Sequence, residues 1–460
     1  MAEFFLNDLA RKLEGHILQG SPSVKFKAFS IDSRSLSSGS LFFAIIAERN
    51  GHDFIHDAFQ NGAAGAVICQ DIPPIDNNFA LIKVKDTTQA LQILAHKTLA
   101  ASDCRVVGIT GSIGKTTTKE FTFRLVSENY KVLKSEGNYN NHLGLPLSLL
   151  KLTSKHEIAV LEMGMSHAGE IAALTRTAQP DVAVITNIKP VHLEFFDSIE
   201  DIALAKKEIL DGTKSEGTAV LNGDDPLVQE IAKDWSGQKI LFGRSGASAI
   251  RAQDIEKRGL AGMSFRFVYG KESVQVRLPF FYDTYLENFL AAAAVAYALA
   301  VPLPNLLART QTLQPFTMRG VHHKLENGIH LIDDSYNSNP AALISALESL
   351  ARFPVQRKIA VLGDMLELGN NTDEFHRQAG RAVVQNNWDV LITVGELSQK
   401  MAEGARSEGQ KKKDIISFQD SGEAARNIKQ FIREGDLILV KGSRGLRMEK
   451  IVKSLLSKGQ

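Results

Sequence analysis

The chain of 460 residues has only two cysteines, almost no net charge and no long hydrophobic run. Cys69 and Cys104 are isolated thiols, which excludes a cysteine metal cluster and fits a reducing cytoplasm. A formal net charge of +1 gives no overall field that would recruit nucleic acid or a membrane surface. No apolar run reaches the roughly 18 residues of a membrane span, and the first residues lack the basic start of a signal peptide. We therefore expect a cytoplasmic protein without nucleic acid partners or membrane insertion, and we expect a monomer.

The most informative stretch that is present covers residues 106–117, where a β-branched run leads into a glycine-rich turn and the start of a helix. Glycines let a backbone wrap closely around an anion, and the N–H groups at a helix start point towards it. The lysine of such a loop holds the outer phosphates of a nucleotide, and the next hydroxyl binds Mg²⁺. The pattern therefore assigns to ATP the residues Thr110, Gly111, Ser112, Ile113, Gly114, Lys115, Thr116 and Thr117.

This phosphate loop is a variant, because Ile109 stands where the common pattern has glycine, and Gly108 lies one place early. The alternative is a glycine-rich strand-to-helix turn with a solvated lysine. The order of strand, glycines, Lys-Thr and helix favours the phosphate loop. We also expect Lys115 to be exposed, so that its removal would leave the fold intact.

The alternation of strands and helices predicts an α/β protein of three domains. The first, 1–102, is a small α/β unit with helices at 4–13, 52–61 and 87–101 and strands at 25–31, 41–46, 66–69 and 80–84. The second, 103–316, is a central parallel-sheet P-loop domain with strands after the loop at 131–134, 157–162, 182–186, 218–221 and 239–242, and a hairpin at 263–278. The third, 317–460, is Rossmann-like, with strands ending near 334, 362, 394 and 440. It has no phosphate loop, so we expect it to close over the nucleotide and bring a second substrate.

Polar residues after buried strands are informative, because ligands bind beyond the carboxyl ends of parallel strands. Glu162 ends one such strand beside the phosphate loop, where a carboxylate would hold Mg²⁺ or its water. His192 follows the next strand, and its position leaves a structural and a functional role equally open. In the first domain Asp32, with Arg34, follows a strand, and a phosphate contact and an ordinary capped turn are about equally compatible with that pattern.

These motifs resemble those of the ATP-dependent Mur ligases of peptidoglycan precursor synthesis, over nearly the whole chain. The resemblance is carried by the phosphate loop and by G-N-Y-N-N-H at 137–142, E-M-G at 162–164, N-I-K-P-V-H at 187–192, D-D-S-Y-N-S-N-P at 333–340, L-G-D-M at 362–365 and K-G-S-R-G at 441–445. Asn288 fits the family pattern, but Thr284-Tyr285 stands where a His-Asn pair is usual. We therefore expect nucleotide recognition to rely more on the third domain and on stacking or packing near Tyr285, and Tyr285→Asn to be tolerated.

The resemblance implies ATP and Mg²⁺ as cofactors, UDP-N-acetylmuramoyl-tripeptide and D-alanyl-D-alanine as substrates, and amide formation through an acyl phosphate. It implies a UDP-sugar site in the first domain. The catalytic residues it implies are Lys115, Glu162, His192 and Lys206, with metal ligands Thr116, Glu162, His192 and a carbamylated Lys206. Further ATP contacts are Asn288 and, near the ribose, Arg319 and Asp334. The substrate contacts are Ser30, Asp32, Ser33, Arg34, Phe43, Asn138 and Asn141. Without the resemblance, Lys206 would be read as a solvated helix lysine.

Two other functions are disfavoured by the sequence. One is a related ATP-dependent ligase that extends folate with glutamate, and the UDP-type first domain and D-S-Y-N-S-N-P at 334–340 argue against it. The other is a nucleotide switch that uses ATP hydrolysis to move a partner, and the ligand-lined strand ends of the third domain and the lack of coiled-coil or basic tracts argue against it. The third residue of the peptide, diaminopimelate or lysine, is left open.

Overall fold

The computed structural model describes residues 4–73, 75–191 and 194–457, and it contains three main sheets. The first is five-stranded, in the order β2-β7-β6-β5-β4, and a separate ribbon pairs β1 with β3. The strands are β1 (Phe4–Phe5), β2 (His16–Gln19), β3 (Lys25–Phe26), β4 (Ala28–Ser30), β5 (Ser40–Phe43), β6 (Gly65–Ile68) and β7 (Ala80–Lys83). The helices are α1 (Leu6–Lys12), α2 (Ile55–Gln60) and α3 (Thr87–Ala100).

The predicted helix at 4–13 is two residues too long at its start, because Phe4 and Phe5 pair antiparallel with β3. The predicted strand at 25–31 is divided into β3 and β4, and the predicted helix at 52–61 begins as a 3₁₀ turn before α2. β2 was not predicted. It pairs with β7 through an irregular register, and its mixed side chains show no clean alternation.

The central sheet has nine strands in the order β16-β15-β14-β13-β12-β11-β8-β10-β9. Its strands are β8 (Arg105–Thr110), β9 (Val132–Lys134), β10 (Ile158–Glu162), β11 (Val182–Ile185), β12 (Thr218–Asn222), β13 (Gln238–Gly243), β14 (Ile250–Lys257), β15 (Met263–Tyr269) and β16 (Glu272–Leu278). Its helices are α4 (Lys115–Val126), α5 (Gly144–Leu149), α6 (Glu170–Ala178), α7 (Ile199–Asp211), α8 (Pro226–Ile231), α9 (Asp283–Ala298) and α10 (Leu303–Thr310). The predicted hairpin is confirmed as β15 and β16, whereas β14, which links it to the parallel strands, was not predicted.

The third sheet has six strands in the order β17-β18-β22-β19-β20-β21. They are β17 (Val321–Lys324), β18 (His330–Asp334), β19 (Lys358–Gly363), β20 (Val390–Val394), β21 (Ile415–Phe418) and β22 (Leu437–Lys441). The helices are α11 (Pro340–Ala351), α12 (Thr372–Gln385), α13 (Gln399–Ser407), α14 (Ser421–Asn427) and α15 (Glu449–Leu456). All neighbours in this sheet are parallel except β17, which pairs antiparallel with β18.

The inner parallel strands of the central sheet, β8, β10, β11 and β12, are buried on both faces, as expected of parallel strands covered by helices. Along β8, Val107 and Ile109 enter a core shared with α9 and the third sheet's helices, while Val106 enters a core shared with the first sheet. β8 lies between β10 and β11, with Glu162 in register with Ile109 and Ile185 in register with Thr110. The carboxyl ends of three strands therefore meet where the phosphate loop leaves β8, which is the crevice position expected for a ligand.

None of the helices in the described part of the chain combines the length and the hydropathy that a membrane span requires.

Candidate active site

The phosphate loop is the turn between β8 and α4, and it is shaped by two glycines with positive φ, Gly111 at 147° and Gly114 at 88°. A Cβ at Gly111 would lie 1.9 Å from the Thr186 hydroxyl oxygen, and one at Gly114 would lie 2.1 Å from Oδ1 of Asn288. Both positions therefore combine a backbone conformation that favours glycine with no room for a side chain. Asn288, 174 residues after Gly114 and on α9, therefore packs directly against the phosphate loop.

The tip of the loop is bonded to the segment after β11. The Ile113 N–H donates to Oδ1 of Asn187 at 2.9 Å, and the Ser112 N–H donates to the Asn187 carbonyl at 3.0 Å. The Thr186 hydroxyl donates to the Ile113 carbonyl at 2.7 Å. These bonds fix the loop before any ligand arrives, so that its binding geometry is preorganised.

Lys115 begins α4 and is half-buried, which contradicts the expectation of an exposed loop lysine. Its Nζ donates to the Gly111 carbonyl at 2.6 Å and lies 3.3 Å from the Ser112 carbonyl, so the side chain folds back over its own loop. Burial lowers the pKa of this lysine, and the nearby Glu162 partly opposes that shift. An ammonium held in this way has charge to offer to an incoming phosphate.

Glu162, at the end of β10, is 2% exposed. Its Oε1 accepts from the Asn140 amide at 2.9 Å, whereas its Oε2 is buried without a hydrogen-bond partner. A buried carboxylate oxygen without a partner is costly unless a ligand satisfies it. Mg²⁺ fits this position, since it takes one or two carboxylates together with substrate phosphates, and the Thr116 hydroxyl also lines the cavity. Among the described residues there is no cluster of three or more His, Cys, Asp or Glu that could hold a metal alone.

Lys119 ties the helix after the loop to the asparagine-rich segment 137–141. Its side chain is 0% exposed, and its Nζ donates to the Gly137 carbonyl at 3.0 Å and lies 3.5 Å from Oε1 of Glu120. The Asn141 Oδ1 accepts from the N–H of Gly144, the first residue of α5, at 2.9 Å. Asn138, Asn140 and Asn141 line the cavity, as expected of the segment 138–141 near the phosphates.

Lys206 lies on α7 and is 1% exposed, so the reading as a solvated lysine is wrong. Burial, followed by the charge of Lys115, lowers its pKa well below the ordinary value. A buried amine that loses its proton easily is suited to carbamylation. His192, its predicted neighbour in a metal site, lies outside the described residues.

The opposite wall of the cavity comes from the third sheet. Asp334 is in register with Lys441, and the Lys441 Nζ donates to its Oδ2 at 2.6 Å and to the Asn337 carbonyl at 3.0 Å. Burial raises the pKa of Asp334, and the Lys441 charge opposes that rise. The Arg319 guanidinium lies over the Tyr336 ring at 4.2 Å, and its Nη2 is 3.5 Å from the Thr116 hydroxyl. Arg319 thus reaches from the start of the third domain to the phosphate loop.

The two walls enclose a cavity of about 620 Å³. Predicted site residues that line it are Ser112, Ile113, Gly114, Lys115, Thr116, Thr117, Asn138, Asn141, Glu162, Asn288, Arg319 and Asp334. Besides Glu162 Oε2, three polar atoms of its lining residues are buried without partners in the described structure: Tyr282 Oη, Arg319 Nε and Ser338 Oγ. The cavity therefore has unused hydrogen-bonding capacity on both walls, as a ligand site requires.

The predicted contacts in the first domain do not line this cavity. Asp32 and Arg34 form a paired fork, with distances of 2.9 and 3.0 Å, and the Arg34 hydrogen bond lowers the pKa of Asp32 to about 2. The Ser30 hydroxyl bonds within the same turn, Ser33 is buried, and Phe43 is wholly buried in the first domain's core. Their contact with substrate stays a prediction, and Phe43 could act only by supporting the strand.

Comparisons with known proteins agree with this arrangement. The Mur ligase middle domain profile matches residues 109–296, and the profile of the Mur ligase glutamate ligase domain matches residues 318–444. The UDP-N-acetylmuramoyl-tripeptide--D-alanyl-D-alanine ligase of Bacillus subtilis is 36% identical over 438 residues, covering 92% of both chains.

Solved structures of related proteins superpose along most or all of the chain. MurF from Acinetobacter baumannii superposes with a TM-score of 0.89 at 30% identity and covers 100% of both chains. MurF from Thermotoga maritima, solved in complex with ADP, gives a TM-score of 0.81 at 30% identity, covering 93% of this chain and 97% of its own.

Proposed function

The chain belongs to the Mur ligase family, and from that membership we propose that it joins D-alanyl-D-alanine to UDP-N-acetylmuramoyl-tripeptide at the expense of ATP. The observation that carries this proposal is one cavity lined on one side by the phosphate loop and Glu162 and on the other by residues 334–346 and 441–445. A nucleotide and a second substrate can meet there. The Bacillus subtilis relative, which matches 92% of this chain, is named as a ligase of this specificity.

The reaction needs two steps because a carboxylate has no good leaving group. An oxygen of the tripeptide carboxylate attacks the γ-phosphorus of ATP, ADP departs, and a C–O–P bond forms. The amine nitrogen of the dipeptide then attacks the acyl carbon and loses a proton, and inorganic phosphate leaves with the C–O electron pair. Both steps place negative charge near fixed positions, so preorganised cations lower their barriers.

The chain's own residues supply that environment. Lys115 holds its ammonium over the loop, ready to exchange the two carbonyl oxygens for phosphate oxygens. Thr116 and Glu162 would hold Mg²⁺, which would neutralise charge on the β- and γ-phosphates. Asn140 fixes the Glu162 carboxylate and leaves Oε2 free for that role.

The remaining assignments rest on the resemblance and on local chemistry. Lys206 as a carbamate, together with His192, would provide a second Mg²⁺ position, and the buried, easily deprotonated Lys206 supports this. Asp334 would contact the ribose while paired to Lys441. Ser30, Asp32, Ser33 and Arg34 would contact the UDP moiety. We further propose a monomer in the cytoplasm, where the free thiols of Cys69 and Cys104 would stay reduced.

The test is phosphate release from ATP by the full chain, with UDP-muramyl peptides and candidate amines offered singly and in pairs. The proposal predicts release only when UDP-muramyl-tripeptide and D-alanyl-D-alanine are both present. Comparing tripeptides that carry lysine or diaminopimelate then gives the third residue. Release without either substrate would indicate a nucleotide switch, and release with folate and glutamate would indicate the related ligase; each result would overturn the proposal.

A further inference from the structure

The segment that leads into the third domain, residues 317–320, has an unusual backbone. Met318 has φ 60° and Gly320 has φ 68°, so both flank Arg319 in the left-handed region. A Cβ at Gly320 would lie 2.6 Å from Cε2 of Tyr282, which shows how closely the segment lies against this ring. A non-glycine residue in this conformation persists only where its surroundings hold it. The contacts that hold Arg319 between these two positions therefore matter.

Arg319 is held from both domains. From the third domain, the Tyr336 N–H donates to the Met318 carbonyl at 3.1 Å, and the Tyr336 ring lies under the guanidinium. From the central domain, the Tyr285 hydroxyl donates to the Arg319 carbonyl. The bond from Tyr285 is the contact that ties the Arg319 backbone directly to α9, at the start of which Tyr285 stands.

Tyr285 is itself held rigidly. It is 4% exposed and stacks on Phe280 with a centroid distance of 4.7 Å and an angle of 17°. Phe280 in turn stacks on Phe121 at 5.1 Å and 24°. Phe121 lies on α4, the helix that begins at Lys115 of the phosphate loop. A continuous stack of rings thus connects the helix behind the phosphate loop to the Arg319 carbonyl.

The Arg319 side chain extends from this segment to the phosphate loop, where the nucleotide would bind. Its Nη2 lies 3.5 Å from the Thr116 hydroxyl, and its Nε is buried without a partner among the described residues. A guanidinium with an unused N–H beside a phosphate loop can donate to a phosphate oxygen. We propose that Tyr285 is a positioning residue, whose hydroxyl fixes the Arg319 backbone so that the guanidinium meets the phosphates of ATP. This inference rests on the proposed use of ATP.

The competing explanation is that Tyr285 only fills space. The positioning role requires the Tyr285 hydroxyl, whereas space filling requires only the ring. Tyr285→Phe separates the two explanations, because it keeps the ring stack and removes the hydrogen bond to the Arg319 carbonyl. Tyr269 is a matched control, since it is 5% exposed and its hydroxyl donates to the Val301 carbonyl at 2.7 Å. It lies on β15 and does not line the cavity. Both variants remove one buried hydroxyl-to-carbonyl bond, so their effects on stability should be similar.

The measurement is the equilibrium dissociation constant of the full chain for a non-hydrolysable ATP analogue with Mg²⁺, determined by calorimetry without turnover. We expect Tyr285→Phe to raise it about fivefold, the effect of one hydrogen bond, and Tyr269→Phe to leave it unchanged. The thermal midpoints of the two variants should fall by similar amounts. Equal dissociation constants for the native protein and Tyr285→Phe would overturn the inference.

A second arm tests whether Tyr285 acts through Arg319. In an Arg319→Ala background, Tyr285→Phe should cause no further loss of affinity, because no guanidinium remains to be positioned. A further fivefold loss in that background would refute the connection. A native protein that fails to bind the analogue would overturn the proposed function itself, and the inference with it.

Tyr285→Asn removes the ring as well as the bond, so the structure argues against the expectation that it is tolerated.

Discussion

Gly114→Ala tests whether the shape of the phosphate loop is required for nucleotide binding. Gly114 has φ 88°, and an added Cβ would lie 2.1 Å from Oδ1 of Asn288 and 3.0 Å from its Cγ. Gly169 offers a matched control, because it has φ 86°, also precedes a helix, and has nothing within 4 Å of an added Cβ. The two alanine variants therefore share the backbone cost and differ in the collision.

The magnitudes follow from these contacts. An alanine in the left-handed region costs about 1–2 kcal/mol, which both variants bear. Overpacking against Asn288 adds about 1–3 kcal/mol in Gly114→Ala alone, or displaces the loop by a comparable energy. A displaced loop loses anion contacts, so we expect nucleotide affinity to fall at least about tenfold, since tenfold corresponds to about 1.4 kcal/mol.

The assay is nucleotide binding by calorimetry together with the thermal midpoint of each variant. Gly169→Ala should bind nucleotide as the native protein does. Combining Gly114→Ala with Asn288→Ala should recover part of the lost stability, because the colliding amide is gone. If Gly114→Ala bound nucleotide normally and unfolded like Gly169→Ala, the loop geometry described above would be wrong.

Three further predictions concern single charged or titratable groups. Lys115→Ala should lower ligation by ~10²–10³-fold, as loss of one charge-stabilising donor does, while circular dichroism shows a native fold; near-normal turnover would refute the phosphate-loop assignment. Lys206→Ala should lose most activity and regain part of it with acetate, which can replace the carbamate, whereas Lys207→Ala should stay active; a sensitive Lys207 would refute the carbamate. The pKa of His322 is lowered to about 4 by burial and by His330. Between this value and the ordinary pKa of about 6.5, His322 is protonated in the unfolded chain but not in the folded chain. The thermal midpoint should therefore fall as the pH drops from about 6.5 towards 4. His322→Gln should reduce that fall, and an unchanged pH profile would contradict the reasoning.

Much of the fold and part of the site could be predicted from the sequence, because strand ends carry their own signal. Apolar strands that end in polar residues located Glu162 and Asp334, and both line the cavity. The alternation of apolar and polar residues predicted the hairpin of β15 and β16. β2 and β17 escaped prediction because their half-exposed, polar-rich residues carry no such alternation.

What could not be predicted depends on contacts between distant residues. Asp334 and Lys441 pair because the parallel register of β18 and β22 places them side by side. Asn140 reaches Glu162, and Tyr285 reaches Arg319, only through the folded chain. The burial of Lys115 likewise arises from the loop folding around it. Domain boundaries and residue roles remain predictions.

In the proposed reaction, the chain activates a carboxylate by phosphoryl transfer before an amine attacks. The most direct test uses UDP-muramyl-tripeptide in which both oxygens of the terminal carboxylate are ¹⁸O, with ATP and D-alanyl-D-alanine, and follows the released phosphate by mass spectrometry. An acyl phosphate requires that one carboxylate oxygen leave with each phosphate, so we expect one ¹⁸O atom per phosphate together with the joined peptide product. Release of unlabelled phosphate would contradict the acyl-phosphate step. Formation of labelled phosphate and product without D-alanyl-D-alanine would contradict the attack of its amine.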